Sequence, residues 1–277
     1  MTINSLSLYF LQEHPKDAAR SLEQFAPEHI AEYFEHIPPQ TVASVLKYIV
    51  PSIAAECLKS MSLEKSSPIV MQLGVERASL LLRRMKSGLR VQFIRTMSPI
   101  FANMTRLVLR YPEGTVGQVM NPNVFTVHED MTVEEVIKVI KNSAQLTHNE
   151  IYITGDKQQL LGIVDIRDLL TDNEKKPMRK IMQAPGECIP ARSSLSSVRN
   201  FSDWNTRENT PVIDHFGVFI GVLGRSVVHD YLSGKRTEHE DVEITGTALA
   251  VAELFWDACA NLIAPDYDNV RKDRKNE

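Results

Sequence analysis

The sequence predicts an α+β multidomain protein: a superhelical stack of short α-helices, a twice-repeated β-α-β-β-α unit, and a C-terminal amphipathic helix. Three observations carry that expectation. Apolar residues recur with a twelve-residue period between Ala18 and Phe101. After Tyr111-Pro-Glu-Gly114 the pattern changes to alternating strands and helices, and the same order of elements returns about sixty residues later. Near the end, an apolar stripe at helical spacing runs from Ala248 to Ile263. A chain of 277 residues is long enough for two domains, or three small ones, each with its own core.

Cutting the chain every twelve residues from Ala18 gives seven blocks without an insertion. Their fifth position reads Leu22, Phe34, Leu46, Leu58, Val70, Leu82 and Ile94. Their eighth reads Phe25, Ile37, Ile49, Met61, Leu73, Met85 and Met97, and the tenth is proline at Pro27, Pro39, Pro51 and Pro99. Two apolar residues three apart share one face of a helix, and a proline two residues later stops that helix or starts the next. Each block is therefore two helical turns and a corner. Such a unit cannot bury its own apolar face, but stacked units bury a shared one. Residues 5–110 are predicted to form this stack, with the fifth-position column buried along it.

In the second half, Val124–Val127 reads as a short strand. Thr132-Val-Glu-Glu135 is a capping box that opens a helix with Val133, Val136, Ile137 and Ile140 inward. Glu150–Thr154 and Leu160–Val164 are strands around a Gly155-Asp156 turn, and Ile166–Leu170 starts a helix. The second copy pairs Met182 with Met120, Val212–Asp214 with Ile151–Thr154, Gly221-Val-Leu with Gly162-Ile-Val, and Asp230-Tyr-Leu232 with Leu169-Leu170. The copies span 117–174 and 177–234. In residues 245–264, Ala248, Val251, Ala252, Phe255, Cys259, Leu262 and Ile263 share one helical face. Another face carries Glu253 and Asp257, which anionic lipid repels, so this helix is expected to contact protein, by self-association rather than by packing within its own chain, or through a partner.

Composition narrows the function. With 31 basic and 35 acidic residues the net charge is −4, which excludes a generally basic nucleic-acid protein. The distribution is uneven: residues 1–110 carry 13 basic and 9 acidic side chains, residues 111–277 carry 18 and 26. Cys57, Cys188 and Cys259 are too few and too scattered for a disulfide framework or a metal cluster, and point to a reducing cytoplasm. The start lacks a secretory signal, and Thr247–Ala264 is too short and too charged to span a bilayer. No His-Glu-x-x-His pair, Walker loop, Gly-x-Ser-x-Gly or Gly-x-Gly-x-x-Gly is present, so no enzyme is expected.

The paired units contain GQVMNPNVFTVHEDMTVEEVIKVI…LLGIVDIRDLL and MRKIMQAPGECIPARSSLSSV…TPVIDHFGVFIGVLGRSVVHDYL, and they resemble a tandem of cystathionine-β-synthase (CBS) domains. The stack, with HPKDAARSLEQFAPEHIAEYFEHIPPQ, and the joining YPEGTVGQVM resemble the cytoplasmic N-domain of MgtE-type magnesium transporters. The resemblance covers roughly residues 12–235. It implies a cytoplasmic regulatory protein that dimerises with its own kind through the CBS pair and responds to Mg2+, or to ATP or AMP. In that family a membrane pore follows the CBS pair; here the expectation is a chain without one.

In CBS domains that hold adenosine nucleotides, a strand ends in Gly-hydrophobic-x-Thr/Ser-x-x-Asp; the hydroxyl meets a phosphate and the Asp meets the ribose. The first unit reads Gly162-Ile-Val-Asp165-Ile-Arg-Asp168, so Asp168 keeps the ribose position while Asp165 places an anion where a phosphate would sit. The second reads Gly221-Val-Leu-Gly224-Arg-Ser-Val227, which leaves a backbone amide at Gly224 and the charge of Arg225. The resemblance thus implies weak or absent nucleotide binding, with any residual site at Asp165 and Asp168. Mg2+ is a hard cation that takes carboxylates and water, and its candidates are Asp230, Glu238, Glu240 and Asp241. Corners of the stack that carry acids in the family read Leu63-Glu64-Lys65, Val75-Glu76-Arg77 and Ser87-Gly88-Leu89 here. Residues 66–110 hold eight basic residues against Glu76, so direct attraction between a basic stack and an acidic module is expected in place of a metal bridge. Two other readings stay open: an anion- or nucleic-acid-binding module using the basic stretch 77–110, and a purely structural dimerisation module with vestigial pockets. Phe93 and Phe101 are the only aromatics in that stretch and sit in phase with the apolar faces, so no nucleic acid is expected.

Overall fold

The computed structural model describes residues 5–142, 149–171, 175–205 and 207–232. The expected helix at 245–264 and the acidic residues Glu238, Glu240 and Asp241 lie outside them. The chain divides into two compact units, with the border in sequence between Thr105 and Arg106.

The first unit is built from α1 (Ser5–Glu13), α2 (Pro15–Leu22), α3 (Pro27–Phe34), α4 (Pro39–Leu46), α5 (Pro51–Ser60), α6 (Leu63–Gln72), α7 (Gly74–Arg83) and α8 (Ser87–Thr96); α9 (Pro99–Leu109) runs across the border. Pro15, Pro27, Pro39, Pro51 and Pro99 each stand at the first helical position, where the missing N–H is not needed and φ is already helical. The proline of the period therefore starts each helix rather than stopping the one before. The whole fifth-position column from Leu22 to Ile94 is buried, and so is the eighth from Ile37 to Met97, with Phe25 half-buried at its start. From α2 to α6 each helix packs on the helix two further along: α2 on α4, α3 on α5, α4 on α6, α5 on α7 and α6 on α8. This is how units too short to hold a core share one. Gly74, at φ +79°, turns α6 directly into α7 without a longer corner, a conformation that a side chain would strain.

Polar side chains fasten the corners. The Val50 N–H donates to Glu23 Oε1 at 2.6 Å, and one period later the Ser62 N–H donates to Glu35 Oε1 at 2.9 Å. Arg77 Nη2 donates to the carbonyls of Leu46 at 3.2 Å and Ile49 at 2.6 Å. Arg90 donates to Leu82 O, Arg83 O and Met85 O at 3.0–3.3 Å. Carbonyls in a last helical turn lack intrahelical donors, and a cation there also meets the negative end of the helix dipole. Part of the basic stretch 77–110 thus caps helix ends inside the stack, which narrows the basic surface expected from the sequence.

The second unit contains α10 (Val116–Val119), β1 (Thr126–His128), α11 (Val133–Asn142), β2 (Glu150–Thr154), β3 (Leu160–Asp165), α12 (Ile166–Thr171), β4 (Ile189–Pro190), β5 (Asn209–Ile213), β6 (Phe219–Gly224) and α13 (Arg225–Leu232). They form two three-stranded sheets, β1-β2-β3 and β4-β5-β6, each with a parallel outer pair and an antiparallel hairpin. Glu150 faces Asp165 in one hairpin as Asn209 faces Gly224 in the other, and the register slip at Ile153/Thr154 recurs at Val212/Ile213. The counterpart of β2 is therefore Asn209–Ile213, which corrects the expected alignment with Val212–Asp214.

The copies exchange their leading segments. Asn121, in the leading segment of the first copy, pairs with Val222 in β6 through N–H···O bonds of 2.8 and 2.9 Å. Gln183, in that of the second, pairs with Ile163 in β3 at 2.9 and 3.0 Å. Bridges from Thr115 to Ser194 and from Pro177 to Thr132 repeat the exchange. At the crossing points a Cβ on Gly162 would lie 2.7 Å from Met182, and one on Gly221 would lie 2.6 Å from the Asn121 carbonyl oxygen. The motif glycines are needed for this close approach. Met178, from the second copy's leading segment, is buried in the first copy's core with Val133, Val136, Ile151 and Val164. Tyr152 stacks on Phe219 with ring centroids 5.1 Å apart, joining the two hairpins.

The copies differ in their middle helix. In the first, the capping box closes as expected: the Thr132 N–H donates to Glu135 Oε2 at 2.8 Å and the Glu135 N–H donates to Thr132 Oγ1 at 3.3 Å. In the second, turns and a short 3-10 segment, Ser202–Asn205, replace the α-helix, so the repeated β-α-β-β-α pattern fails there. Serine competes locally for the backbone: Ser197 Oγ donates to Ser194 O at 2.8 Å and the Ser197 N–H donates to Ser194 Oγ at 3.2 Å. Leu195 and Val198 still reach the core, and the buried Trp204 donates its indole N–H to Val198 O at 2.8 Å.

Candidate functional site

The sequence-derived candidates fall where β3 and β6 run into their helices. In the first copy, Asp165 Oδ1 accepts the Arg167 backbone N–H at 2.8 Å and its Nε–H at 3.0 Å, while Oδ2 accepts from Nη2 at 2.9 Å. Hydrogen bonds from the Arg167 side chain, then from its amide, hold the Asp165 carboxyl down at about 2. Asp165 therefore stays ionised and is matched by its own neighbour. Asp168 is exposed in the first turn of α12.

In the second copy, Gly224 ends β6 and Arg225 opens α13. The Arg225 N–H donates to Glu208 O at 2.9 Å, and its Nη1 to Trp204 O at 3.1 Å. An open cleft of about 550 Å³ lies here, walled by Trp204, Arg207, Glu208, Arg225, Ser226 and Asp230. Arg207 is fixed from a third segment, with Nη1 donating to Pro185 O at 2.6 Å and Nη2 to Ala184 O at 3.2 Å. His229 Nδ1 stands 3.7 Å from Asp230 Oδ1. The cleft thus brings together Arg225, a nucleotide candidate, and Asp230, a metal candidate. Trp204, Arg207 and Glu208 were not anticipated. They precede β5, far in sequence from the strand-end motif, and reach the cleft through the helix-free connection that the repeat pattern had read as a helix.

Two guanidinium groups held by carbonyl oxygens, with N–H groups to spare, suit a phosphate. The fit to Mg2+ is poorer: among the described residues no group of three or more His, Cys, Asp and Glu could hold a metal ion, and Glu238, Glu240 and Asp241 lie outside them.

A helical-repeat domain running into a pair of strand-exchanged CBS-type sheets is the class that this fold defines. Residues 13–114 match the family model of the MgtE intracellular N domain, and residues 116–172 match that of the CBS domain. The chain is thus similar, through both units, to the cytosolic region of MgtE-type magnesium transporters. It is 29% identical over 150 residues to the magnesium transporter MgtE of Thermus thermophilus, which is 53% of this chain and 32% of that protein. With the magnesium transporter MgtE of Bacillus subtilis it shares 20% identity over 120 residues, 43% of this chain and 27% of the relative. The matches therefore span about a third or less of these curated relatives. The solved cytosolic domain of the Mg2+ channel MgtE in complex with ATP superposes with a TM-score of 0.71 at 24% identity, covering 81% of this chain and 93% of that one. The soluble part of a magnesium transporter gives 0.59 at 15% identity, covering 83% and 98%. At these identities the structures show the shared fold. Among the described residues, no helix is long and apolar enough to cross a membrane.

Proposed function

We propose that the chain is a cytoplasmic, non-catalytic regulatory module of the MgtE cytosolic type, which dimerises through its CBS pair and takes an adenine nucleotide in the second-copy cleft. Residues 5–110 are the stack that reads out the ligand state, and 117–174 and 177–234 are the two CBS domains. The observation that carries the reading is the pair of pre-positioned guanidiniums, Arg207 and Arg225, at the strand-to-helix end beside Trp204. A structural neighbour described as a complex with ATP supports the same ligand class. The choice of copy departs from the sequence-based expectation, which favoured Asp165 and Asp168; the Arg167 clamp on Asp165 explains why. The test is calorimetric titration of the full chain with AMP and ATP, repeated on Arg225→Ala. Binding that weakens about ten-fold in the variant supports the reading, since a charge-assisted phosphate contact is worth roughly that much. No heat and no shift in melting temperature at millimolar nucleotide would sink it, because a ligand of the folded state raises stability by mass action.

Mg2+ is the second reading, resting on Asp230 in the cleft with Glu238, Glu240 and Asp241 close by in sequence. A proteolysis pattern that changes with millimolar Mg2+ and no longer does so in Asp230→Asn is its signature. The apolar stripe at 245–264 remains the proposed contact for a second copy or a protein partner.

A further inference from the structure

We propose that Glu208 and Asp230 set the phosphate charge that the second-copy cleft accepts, so that it takes a nucleoside monophosphate in preference to a triphosphate. This rests on the nucleotide reading of that cleft and names which nucleotide it selects. The cleft's arginines are Arg207 and Arg225 and its carboxylates are Glu208 and Asp230; His229 lines it too, with Nδ1 3.7 Å from Asp230 Oδ1. Both arginines are held by carbonyl oxygens, neutral partners that fix the guanidiniums without cancelling their charge. A phosphate monoester carries about two negative charges near neutral pH, which two guanidiniums match. A triphosphate carries about twice that. The surplus finds no further arginine or lysine among the described lining residues and meets the two carboxylates instead.

Comparison with the first copy marks these carboxylates as particular to the second. The Ile166 N–H donates to Asn149 O at 2.9 Å where the Arg225 N–H donates to Glu208 O at 2.9 Å, so Asn149 is the counterpart of Glu208. By the same register, in which Asp165 matches Gly224, Thr171 is the counterpart of Asp230 and the buried Leu169 that of the buried Val228, which corrects the expected alignment of Asp230 with Leu169. The first copy has uncharged residues at both places. In the second, the position that loses the strand-end Asp165 is flanked by acids on the preceding loop and on α13, both facing the cleft.

The experiment is calorimetric titration of the full chain with AMP and with ATP at low salt, without and with Mg2+, on the natural protein and on Glu208→Gln/Asp230→Asn. AMP is expected to bind about ten-fold more tightly than ATP, the scale of like-charge contacts about 4 Å apart in water-exposed surroundings. The double variant should narrow that ratio mainly by tightening ATP. Added salt and Mg2+ should narrow it too, since both screen the surplus charge. Melting temperatures report whether the variant is folded; if it is not, the salt series on the natural protein decides alone. ATP binding as tightly as AMP at low salt, or a ratio that neither salt nor the variant moves, overturns charge selection while leaving the nucleotide site standing. Binding of neither nucleotide overturns the site itself, and the selection with it.

Discussion

In the helical stack most short helices pack on the helix two further along, whereas in the sheet pair each copy supplies its leading segment to the other. The stack's contacts are close in sequence and repeat with the period, so each block needs only its near neighbours. The pair's contacts join Asn121 to β6 and Gln183 to β3, so neither sheet is complete without residues from the other copy. Damage should therefore spread differently: gradedly in the stack, all at once in the pair.

The largest effect is expected in the stack. Leu46 is fully buried, and Leu46→Asp would bring a carboxylate into an apolar seam, costing about 4 kcal/mol or more. Cys57 reports the outcome: burial pushes its thiol up to about 12, so it should resist alkylation until the stack opens. Denaturant unfolding should show the stack's transition moving while the sheet pair's stays in place. If both move together, the two units do not fold independently.

Next comes the crossing point in the pair. Gly221→Ala sets a Cβ 2.6 Å from the Asn121 carbonyl oxygen, and Gly162→Ala sets one 2.7 Å from the Met182 Cβ, which is fixed to the backbone and cannot rotate aside. Overpacking should therefore cost about 3 kcal/mol at each, read as shifts of the pair's unfolding midpoint. A cost near zero at either would mean that the exchanged segment yields there and that the crossing is no constraint. Smaller again is Arg77→Ala, which leaves the carbonyls of Leu46 and Ile49 without that donor and should cost the stack about 1.5 kcal/mol.

The smallest effect is electrostatic. Asp165 has a depressed pKa in the folded state, so its contribution is present above the ordinary carboxylate range and is lost as pH falls through about 2. Arg167 is exposed and the pair is screened by solvent, so the contribution is small. Comparing natural protein and Asp165→Asn between pH 5 and pH 2 should show the difference in stability shrinking toward acid. A difference that grows toward acid would mean the pairing works against the fold.

The stack was legible residue by residue because a fixed period makes every block report the same two positions, from Leu22 to Ile94 and from Ile37 to Met97. Proline added the helix starts. Arginine caps such as Arg77 and Arg90 were not legible, because a basic run looks the same whether its charges meet solvent or the carbonyls of helix ends. In the pair, strand order could be read from alternation and the turn at Gly155, but the exchange could not: Asn121 has the same local pattern whichever sheet it joins. The lost helix before β5 was hidden because Leu195 and Val198 keep helical spacing while the surrounding serines favour turns. That loss also concealed Trp204, Arg207 and Glu208 as the cleft's walls, while Arg225 was visible through the strand-end motif and Asp230 as a candidate metal ligand.

The exchanged segments put the order of the gene and the order of the fold out of step. A chain severed between α12 and Pro177 would yield two fragments, each carrying a segment that pairs with the other's sheet and lacking the one that pairs with its own. Mixed in equal amounts, the fragments should reassemble into the uncut pair. Left alone, either should seek a second copy of itself and trade the same segment across a two-fold axis. The severed protein is thus a ready-made complementation system, whose assembly can be switched on by bringing the missing half.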